Sequence, residues 1–188
     1  MNREYQIIIS IFLFLIPLFM PGASSGADPA ANIPDKMCLS PGRSCTESIV
    51  KEINSAKSEV RLLAYTFTSA PIAKALGEAH KRGVKVKVIL GKSQRRDTSA
   101  TMLVNMMVPI YVDNKHTMVG SEIMIIDRSQ IITGPFGSRK ASEEKNAENV
   151  LFIKSRDLAK TYLENWSLHK EHSKPYQANQ TVASKGKR

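Results

Sequence analysis

Blocks of apolar and polar positions along the chain predict a regular order of strands and helices. Residues 59–67, EVRLLAYTF, form an apolar run typical of a buried strand, whereas residues 70–83 have helical spacing and stop at Gly83. Residues 84–90, VKVKVIL, then alternate as a half-exposed strand should. A strand, a helix and a strand in this order predict a right-handed βαβ unit. We therefore expect an α/β fold, with a mixed and mostly parallel sheet flanked by helices in a single domain.

The same periodicities place further elements on both sides of this unit. Residues 46–57 predict a helix with Thr46 as its N-cap. The closing helix predicted at residues 156–172 is amphipathic, with Leu158, Tyr162 and Trp166 on one side. Between them, a helix is expected at residues 98–107 and strands at residues 108–113, 122–127, 130–134 and 148–154.

The two ends of the chain differ in composition from this middle part. In residues 1–27, Arg3 precedes an apolar run and small residues lead up to Ala27, which is the pattern of a secretory signal. The apolar run contains Pro17 and is short for a membrane span of about 20 residues, so export with cleavage near Ala27 is favoured over a membrane anchor. We expect a periplasmic or secreted protein. Residues 28–36 are then a flexible lead-in, residues 37–176 the folded domain, and residues 177–188 a basic disordered tail.

Charge and cysteine usage narrow the function classes only in part. The formal net charge is +10 with a sequence pI near 9.7, which makes an anionic partner plausible, either nucleic acid or anionic lipid. A basic surface that only aids solubility remains the alternative. Cys38 and Cys45 flank a short turn, and in an exported protein they favour a local disulfide over a zinc site, because structural zinc usually takes four ligands.

Three stretches of the chain carry a resemblance to a known family. LLAYTFTSAPIAKALGEAHKRGVKVKVIL, EIMIIDRSQIITG and KNAENVLFIK resemble the small exported bacterial endonucleases of the phospholipase D superfamily, over a region from about Cys38 to Tyr176. The resemblance implies a phospholipase D-like fold and phosphodiester hydrolysis without metal or cofactor. In that chemistry one histidine attacks phosphorus, a second protonates the leaving oxygen, and lysine and asparagine hold the phosphate oxygens. It also implies a homodimer across the motif face, in which two motifs build one site.

The family motif fits this chain in spacing and fails in chemistry. The motif reads His-x-Lys, four residues, Asp, six residues, Gly-Ser-x-Asn, and Asp127 and Gly134 stand at its Asp and Gly positions. The His, Lys, Ser and Asn positions are occupied by Gly120, Glu122, Pro135 and Gly137. Glycine offers neither nucleophile nor acid. A unit charge about 4 Å from a phosphate contributes on the order of 4 kcal/mol to the interaction energy at an effective dielectric near 20. Glu122 replaces the attraction of a lysine by repulsion, so phosphate binding becomes less favourable by about twice that energy.

Two carboxylates remain at residual motif positions as candidate catalytic residues. Asp127 ends an apolar strand, so a turn or cap role is at least as good an interpretation as a functional one. Glu148 matches a glutamate that, by the resemblance, supports the catalytic histidine. Without that histidine, Glu148 has nothing to orient and instead holds a strand end through hydrogen bonds.

The remaining histidines give no clear replacement for the lost nucleophile. His116 lies four residues before Gly120, which is about 13 Å along an extended strand, although a bulge would shorten that distance. His80 sits near a helix end as a surface residue. His169 and His172, spaced i and i+3, are expected to be solvated surface rather than metal ligands. No metal and no cofactor are therefore expected.

Three hypotheses of function follow from these observations. The favoured one is a catalytically impaired family member that still binds a polyanion, preferably nucleic acid. Its candidate polyanion-binding residues are Lys92, Arg95, Arg96, Arg139, Lys140 and Lys145. The alternatives are an active metal-independent phosphodiesterase, either nuclease or phospholipase, and a non-catalytic subunit that dimerises with an intact paralogue.

Overall fold

The computed structural model describes residues 36–40, 45–65, 67–92, 98–116, 122–136 and 146–177. By its internal contacts the chain divides into two units, Met1–Ala31 and Asn32–Arg188. The first unit, which contains most of the predicted signal and lead-in, lies outside the described residues, as do residues 178–188 of the predicted tail. Among the described residues, no helix combines the length and the apolar character of a membrane span.

The described part of the second unit contains eight strands and four helices. They are β1 (Lys36–Ser40), α1 (Cys45–Ser55), β2 (Glu59–Ala64), α2 (Ala70–Lys81), β3 (Lys85–Gly91), α3 (Thr98–Asn105), β4 (Ile110–Asp113), β5 (Ile123–Ile126), β6 (Gln130–Thr133), β7 (Glu148–Lys154), α4 (Arg156–Glu171) and β8 (Ser173–Pro175). Every predicted element is present. Two short strands, β1 and β8, were not predicted, and α1 begins at Cys45, so Thr46 lies inside the helix rather than at its N-cap.

All eight strands join one sheet in the order β1-β7-β6-β5-β2-β3-β4-β8. The predicted βαβ unit is confirmed, since β2, β3 and β4 are parallel, with Val60 opposite Val86 and Val88 opposite Ile110. The other pairings among the described strands are antiparallel. The α/β class with a mixed sheet flanked by helices is thus confirmed, but the expectation of a mostly parallel sheet is wrong. Short connections such as residues 127–129 between β5 and β6 allow only antiparallel neighbours.

Helices cover both faces of the sheet because the strand side chains alternate between two cores. Leu62 belongs to the core packed under α1, α2 and α3, whereas its neighbour Leu63 belongs to the core packed under α4. On α4 the predicted apolar side faces this second core, and Trp166 is 5% exposed. The Trp166 indole Nε1 donates to the Leu62 carbonyl at 3.0 Å, which ties α4 to the middle of the sheet.

The predicted disulfide is present and joins Cys38 of β1 to Cys45, the first residue of α1. Both cysteines are buried in the core under α1 to α3. The disulfide therefore holds the edge strand β1 against the first helix.

The strand ends at one side of the sheet hold most of the described motif positions, and we name this side, across the ends of the strands, the carboxyl edge. The parallel strands β2, β3 and β4 end there, at Ala64, Gly91 and Asp113. Because β5 runs antiparallel to β2, it begins at the same edge, with Ile123 opposite Leu63. The end of β6 and the start of β7 lie there as well. The opposite edge, where β2 and β3 begin and β5 ends, is the amino edge.

Candidate functional site

The described part of the motif around Glu122 and Gly134 lies at the carboxyl edge. Glu122 directly precedes β5, and its backbone carbonyl accepts a hydrogen bond from the Thr133 hydroxyl at 3.0 Å and from the Gly134 N–H at 3.4 Å. The motif's lysine and glycine positions are therefore neighbours in space, as a functional motif requires. Pro135 is exposed beside them, while Gly120 and Gly137 lie outside the described residues.

Gly134 is required by a close approach between two strands. Its φ is +134°, and a Cβ at this position would lie 2.3 Å from the Asn149 carbonyl oxygen and 3.0 Å from the Val150 Cα. The chain then turns so that the Phe136 N–H donates to the Gly134 carbonyl at 2.8 Å and the Phe136 side chain is buried. The presence of glycine here is explained by packing without reference to catalysis.

Glu148 begins β7 at the carboxyl edge, as its motif position requires. Its Oε1 accepts a hydrogen bond from the Asn146 side-chain amide at 2.9 Å. The Ser40 hydroxyl in turn donates to the Asn146 carbonyl at 3.1 Å, so this group of residues links the entry of β7 to β1. These contacts agree with the interpretation that Glu148 holds a strand end.

Asp127 lies at the amino edge, and its contacts favour the turn or cap interpretation over a catalytic one. One carboxylate oxygen accepts from the Ser58 N–H at 2.7 Å, the Ser58 hydroxyl at 2.8 Å and the Glu59 N–H at 3.0 Å, and the other accepts from the Lys57 N–H at 2.9 Å. Five residues of extended chain, about 16 Å, separate it from Glu122. The Asp127 carboxylate is a cap for the loop between α1 and β2.

The turn that begins at Asp127 contains two residues with positive φ, and one of them forms an ion pair with β2. Asp127 and Arg128 have φ values of 50° and 56°. The Arg128 Nε lies 2.7 Å from Oε1 of Glu59, which is 5% exposed, and Arg61 contacts the other oxygen of the same carboxylate at 2.7 Å. The buried charge of Glu59 is thus paired with two cations, one of which belongs to the turn.

A second group of polar side chains, which we name the Asp113 cluster, lies at the carboxyl edge where β4 ends. It consists of Asp113, His116, His169 and His172. The Asp113 carboxylate is fully buried, and its Oδ2 is 2.8 Å from the Nδ1 atoms of both His116 and His169. Its Oδ1 accepts from the backbone N–H groups of Lys115 at 3.0 Å and His116 at 3.2 Å, and lies 3.3 Å from the His172 Nε2.

Electrostatics at Asp113 favour the ionised carboxylate. Burial alone raises the pKa of this carboxyl, but hydrogen bonds from His169 and from the side chain and backbone of His116, together with the nearby His172 imidazole, outweigh burial and hold the pKa well below its usual range. The three imidazole rings therefore surround a fixed negative charge, with ring centroids 5.0 to 5.6 Å apart.

The Asp113 cluster corrects one expectation about the histidines, that for His169 and His172. His169 and His172 are not solvated surface, since their side chains are only 19% and 25% exposed and both face Asp113. The topology agrees with the expectation that His116 does not replace the missing nucleophile, because β2 and β3 separate β4 from β5 and the three strand spacings amount to about 14 Å. Two patterns in the sequence could have indicated this cluster, namely Asp-x-x-His after a predicted strand and His-x-x-His at the end of a predicted helix. Only the topology shows that the two patterns meet.

The predicted polyanion-binding residues are described only in part. Lys92 is exposed and directly follows Gly91, so it lies at the carboxyl edge. Arg95, Arg96, Arg139, Lys140 and Lys145 lie outside the described residues.

Comparison with known proteins gives consistent matches for this domain. Residues 49–168 match the family described as cardiolipin synthase, PLD-like domain. A phospholipase D of Rickettsia felis is 34% identical over 131 residues, which are 69% of this chain and 66% of that protein. The chain thus spans about two thirds of the length of this curated relative.

Solved structures show the same architecture. Nuc from Salmonella typhimurium, described as a phospholipase D family member, has a TM-score of 0.70 and 31% identity, covering 76% of this chain and 97% of that chain. NucT from Helicobacter pylori has a TM-score of 0.64 and 20% identity over 75% of this chain and 99% of that one, a likeness of fold.

We expect Gly134→Ala to destabilise the protein by about 3 kcal/mol, because the new Cβ would meet the Asn149 carbonyl in addition to the cost of a positive φ. Urea unfolding followed by circular dichroism measures the effect. Gly83→Ala is the matched control, since Gly83 also has a positive φ of 93° but nothing within 4 Å of its Cβ position, and it should cost only about 1 kcal/mol. Equal losses in the two variants would show that the close approach to β7 is not what demands glycine.

Asp127→Ala should lower the free energy of unfolding by on the order of 2 kcal/mol, because the N–H groups of residues 57–59 lose their acceptor. Burial raises the pKa of Asp127, but the hydrogen bonds outweigh it and lower the pKa on folding. The contribution is therefore present above the unfolded pKa near 3.9 and is lost as the pH falls through the folded pKa.

Urea unfolding of Asp127→Ala and the wild type at neutral and acidic pH tests both statements. The difference between them should shrink as the pH falls. Glu164→Ala removes an exposed carboxylate from α4 and should change stability by less than about 0.5 kcal/mol. A pH-independent difference would rule out the carboxylate as the stabilising group.

Proposed function

The chain belongs to the phospholipase D superfamily, in its endonuclease-like branch, and from this premise we propose that it is an exported member that has lost the phosphohistidine reaction and binds nucleic acid. Family membership supports a phosphodiesterase- or nuclease-like function in broad terms. The loss of the reaction and the choice of ligand rest on the residues of this chain.

One observation carries the proposal, namely Glu122 at the lysine position, held by backbone contacts beside the motif's glycine. Its backbone is held beside Thr133 and Gly134 at the carboxyl edge, where the family places a phosphate-binding cation. A carboxylate there repels a phosphodiester, and Gly120 supplies no imidazole. Neither covalent attack nor stabilisation of the developing charge is available from these positions.

Positive charge near the same edge supports retained binding of a polyanion. Lys92 is exposed at the end of β3, and the net charge of the chain is +10. The other predicted basic residues belong to residues 93–97 and 137–145, which follow Lys92 and Phe136 in the sequence. Both Lys92 and Phe136 lie at the carboxyl edge. Phosphate contacts by lysine and arginine need no base recognition and no catalytic geometry, so binding can outlast the reaction.

Export and assembly complete the proposal. The pattern in residues 1–27 favours export to the periplasm or the medium, where the disulfide of Cys38 and Cys45 would form. A homodimer across the motif face follows from the family's twofold arrangement. It would place two carboxyl edges, and thus two sets of basic residues, on one nucleic acid.

We predict that the purified protein binds double-stranded DNA in chelator with a steep salt dependence. Replacing Lys92, Arg95 and Arg96 by alanine should reduce the slope of log K against log salt by about 3, because each lost phosphate contact releases roughly one counterion fewer. Fluorescence anisotropy between about 50 and 200 mM salt measures both quantities.

A matched control removes the same charge from the amino edge. Lys57, Lys85 and Lys154 are exposed there, and their joint replacement by alanine should leave the slope within about 1 of the wild-type value. Equal effects of the two triple variants would show that binding follows net charge and not the carboxyl edge. No binding to DNA or RNA at about 50 mM salt would overturn the proposal.

We predict no hydrolysis of DNA or phosphatidylcholine by the wild-type protein in the presence of chelator. Restoring the motif with Gly120→His, Glu122→Lys, Pro135→Ser and Gly137→Asn should produce chelator-resistant hydrolysis, since the backbone at the lysine and glycine positions is held together at the carboxyl edge. The rate of release of a labelled product measures it.

The control for this experiment restores every position except the nucleophile, with Gly120→Ala and the other three changes. It should be inactive if the reaction proceeds through a histidine at position 120. Wild-type turnover in chelator that disappears in His116→Ala would sink the proposal and support an active enzyme. Co-purification with an intact paralogue would support the mixed-dimer alternative instead.

A further inference from the structure

We propose that the Asp113 cluster is a zinc-binding site that fastens the C-terminal helix α4 and strand β8 to the end of β4. This inference does not rest on the proposed function, because it concerns side chains about 14 Å along the sheet edge from the start of β5. It replaces the expectation that the chain holds no metal.

The donor atoms are close enough together to hold one ion. The Asp113 oxygen and one nitrogen from each of the three histidines all lie within 4.8 Å of one another. A tetrahedral zinc ion with bonds of about 2.1 Å spaces its ligands about 3.4 Å apart. Shifts of about 1 Å or less would bring the set to this geometry, and His116, with a side chain 43% exposed, is free to make the largest one.

The Asp113 carboxylate is already oriented as a metal ligand. Its Oδ1 is held by the backbone N–H groups of Lys115 and His116, and its Oδ2 points between the Nδ1 atoms of His116 and His169. Hydrogen bonds to the second oxygen are the usual way in which a ligating carboxylate is fixed. Oδ2 can therefore coordinate an ion while Oδ1 keeps its amide bonds.

Hydrogen bonds among these groups leave part of the cluster unsatisfied. The His172 Nε2 is shielded from solvent and makes no hydrogen bond of acceptable geometry within the described residues, although it lies 3.3 Å from Oδ1 of Asp113. His116 and His169 both direct Nδ1 at the same oxygen, so both must carry a proton there. One ion bound to Oδ2 and the three nitrogens would replace these protons and give His172 a partner.

The donor set indicates the class of ion and its role. Three imidazoles and one carboxylate suit zinc or a neighbouring transition metal, whereas calcium and magnesium prefer oxygen ligands. Four protein ligands close the coordination sphere, which is typical of a structural rather than a catalytic zinc. The ligands come from the end of β4, the residues after it, the last turn of α4 and the residue before β8, so one ion would join all of these segments.

The test is zinc titration of untagged, chelator-treated protein by calorimetry, with Co²⁺ absorption as a probe of coordination geometry. We expect one ion per chain, a tetrahedral Co²⁺ spectrum, and a rise in Tm of roughly 5 °C or more at a free zinc concentration about 100 times Kd. A folded protein that takes up no zinc, or an octahedral Co²⁺ spectrum, would overturn the proposal.

Variants locate the ion and keep the test independent of folding. His169→Gln and His116→Gln should each weaken zinc binding by at least about tenfold. His116→Gln, at the most exposed ligand, should still fold when no zinc is present. His80→Gln is the matched control, because His80 on α2 is the one histidine of the chain outside the cluster, and its affinity should equal that of the wild type. Unchanged affinity in both cluster variants would place the ion elsewhere and refute the site.

Discussion

The Asp127 carboxylate, at the end of β5, accepts backbone N–H bonds from Lys57, Ser58 and Glu59 where β2 begins. This contact fixes the amino-edge end of the antiparallel pair, with Val60 opposite Ile126, and the register then runs to Leu63 opposite Ile123 at the other end. Both faces of β5 are buried, but they face different cores, with Met124 in one and Ile125 in the other. A slip by one residue would therefore turn every side chain of β5 into the wrong core. The position of Glu122 at the carboxyl edge is therefore set by a residue about 16 Å away.

Two groups of polar residues share the carboxyl edge, and the topology keeps them apart. The motif frame lies at β5, β6 and β7, whereas the Asp113 cluster lies beyond β2 and β3, at β4 and β8. Loops at the carboxyl ends of parallel strands are common places for binding and catalysis, because the strands hold their ends rigidly. In this chain the residue types that react with phosphate are absent from the motif positions, while the other end of the same edge holds the Asp113 cluster.

Much of this fold could be predicted from periodicity, and the parts that could not have physical reasons. The apolar spacing of α2 and α4 and the alternation in β3 predicted those elements correctly, because a buried face requires apolar residues at the period of its helix or strand. The strand β8 has three residues, two of them exposed, so no pattern marks it, and it exists only because it pairs with β4. The Asp113 cluster escaped prediction for a related reason, since 56 residues separate Asp113 from His169 and their meeting depends on that same pairing.

The residues at the six motif positions divide according to what the fold requires. Asp127 and Gly134, which match the family, have structural tasks in this chain, one as a cap for three backbone N–H groups and the other as the only residue type that fits against the Asn149 carbonyl. The four positions that differ are those that the family's reaction uses, and the two of them that the structure describes, Glu122 and Pro135, are not buried. Changing Asp127 or Gly134 would cost stability whether or not the protein is an enzyme, whereas Glu122 and Pro135 are partly or fully exposed and can vary with little effect on the core. A motif that keeps its structural residues and loses its reactive ones is the pattern that loss of the reaction, with retention of the fold, would produce.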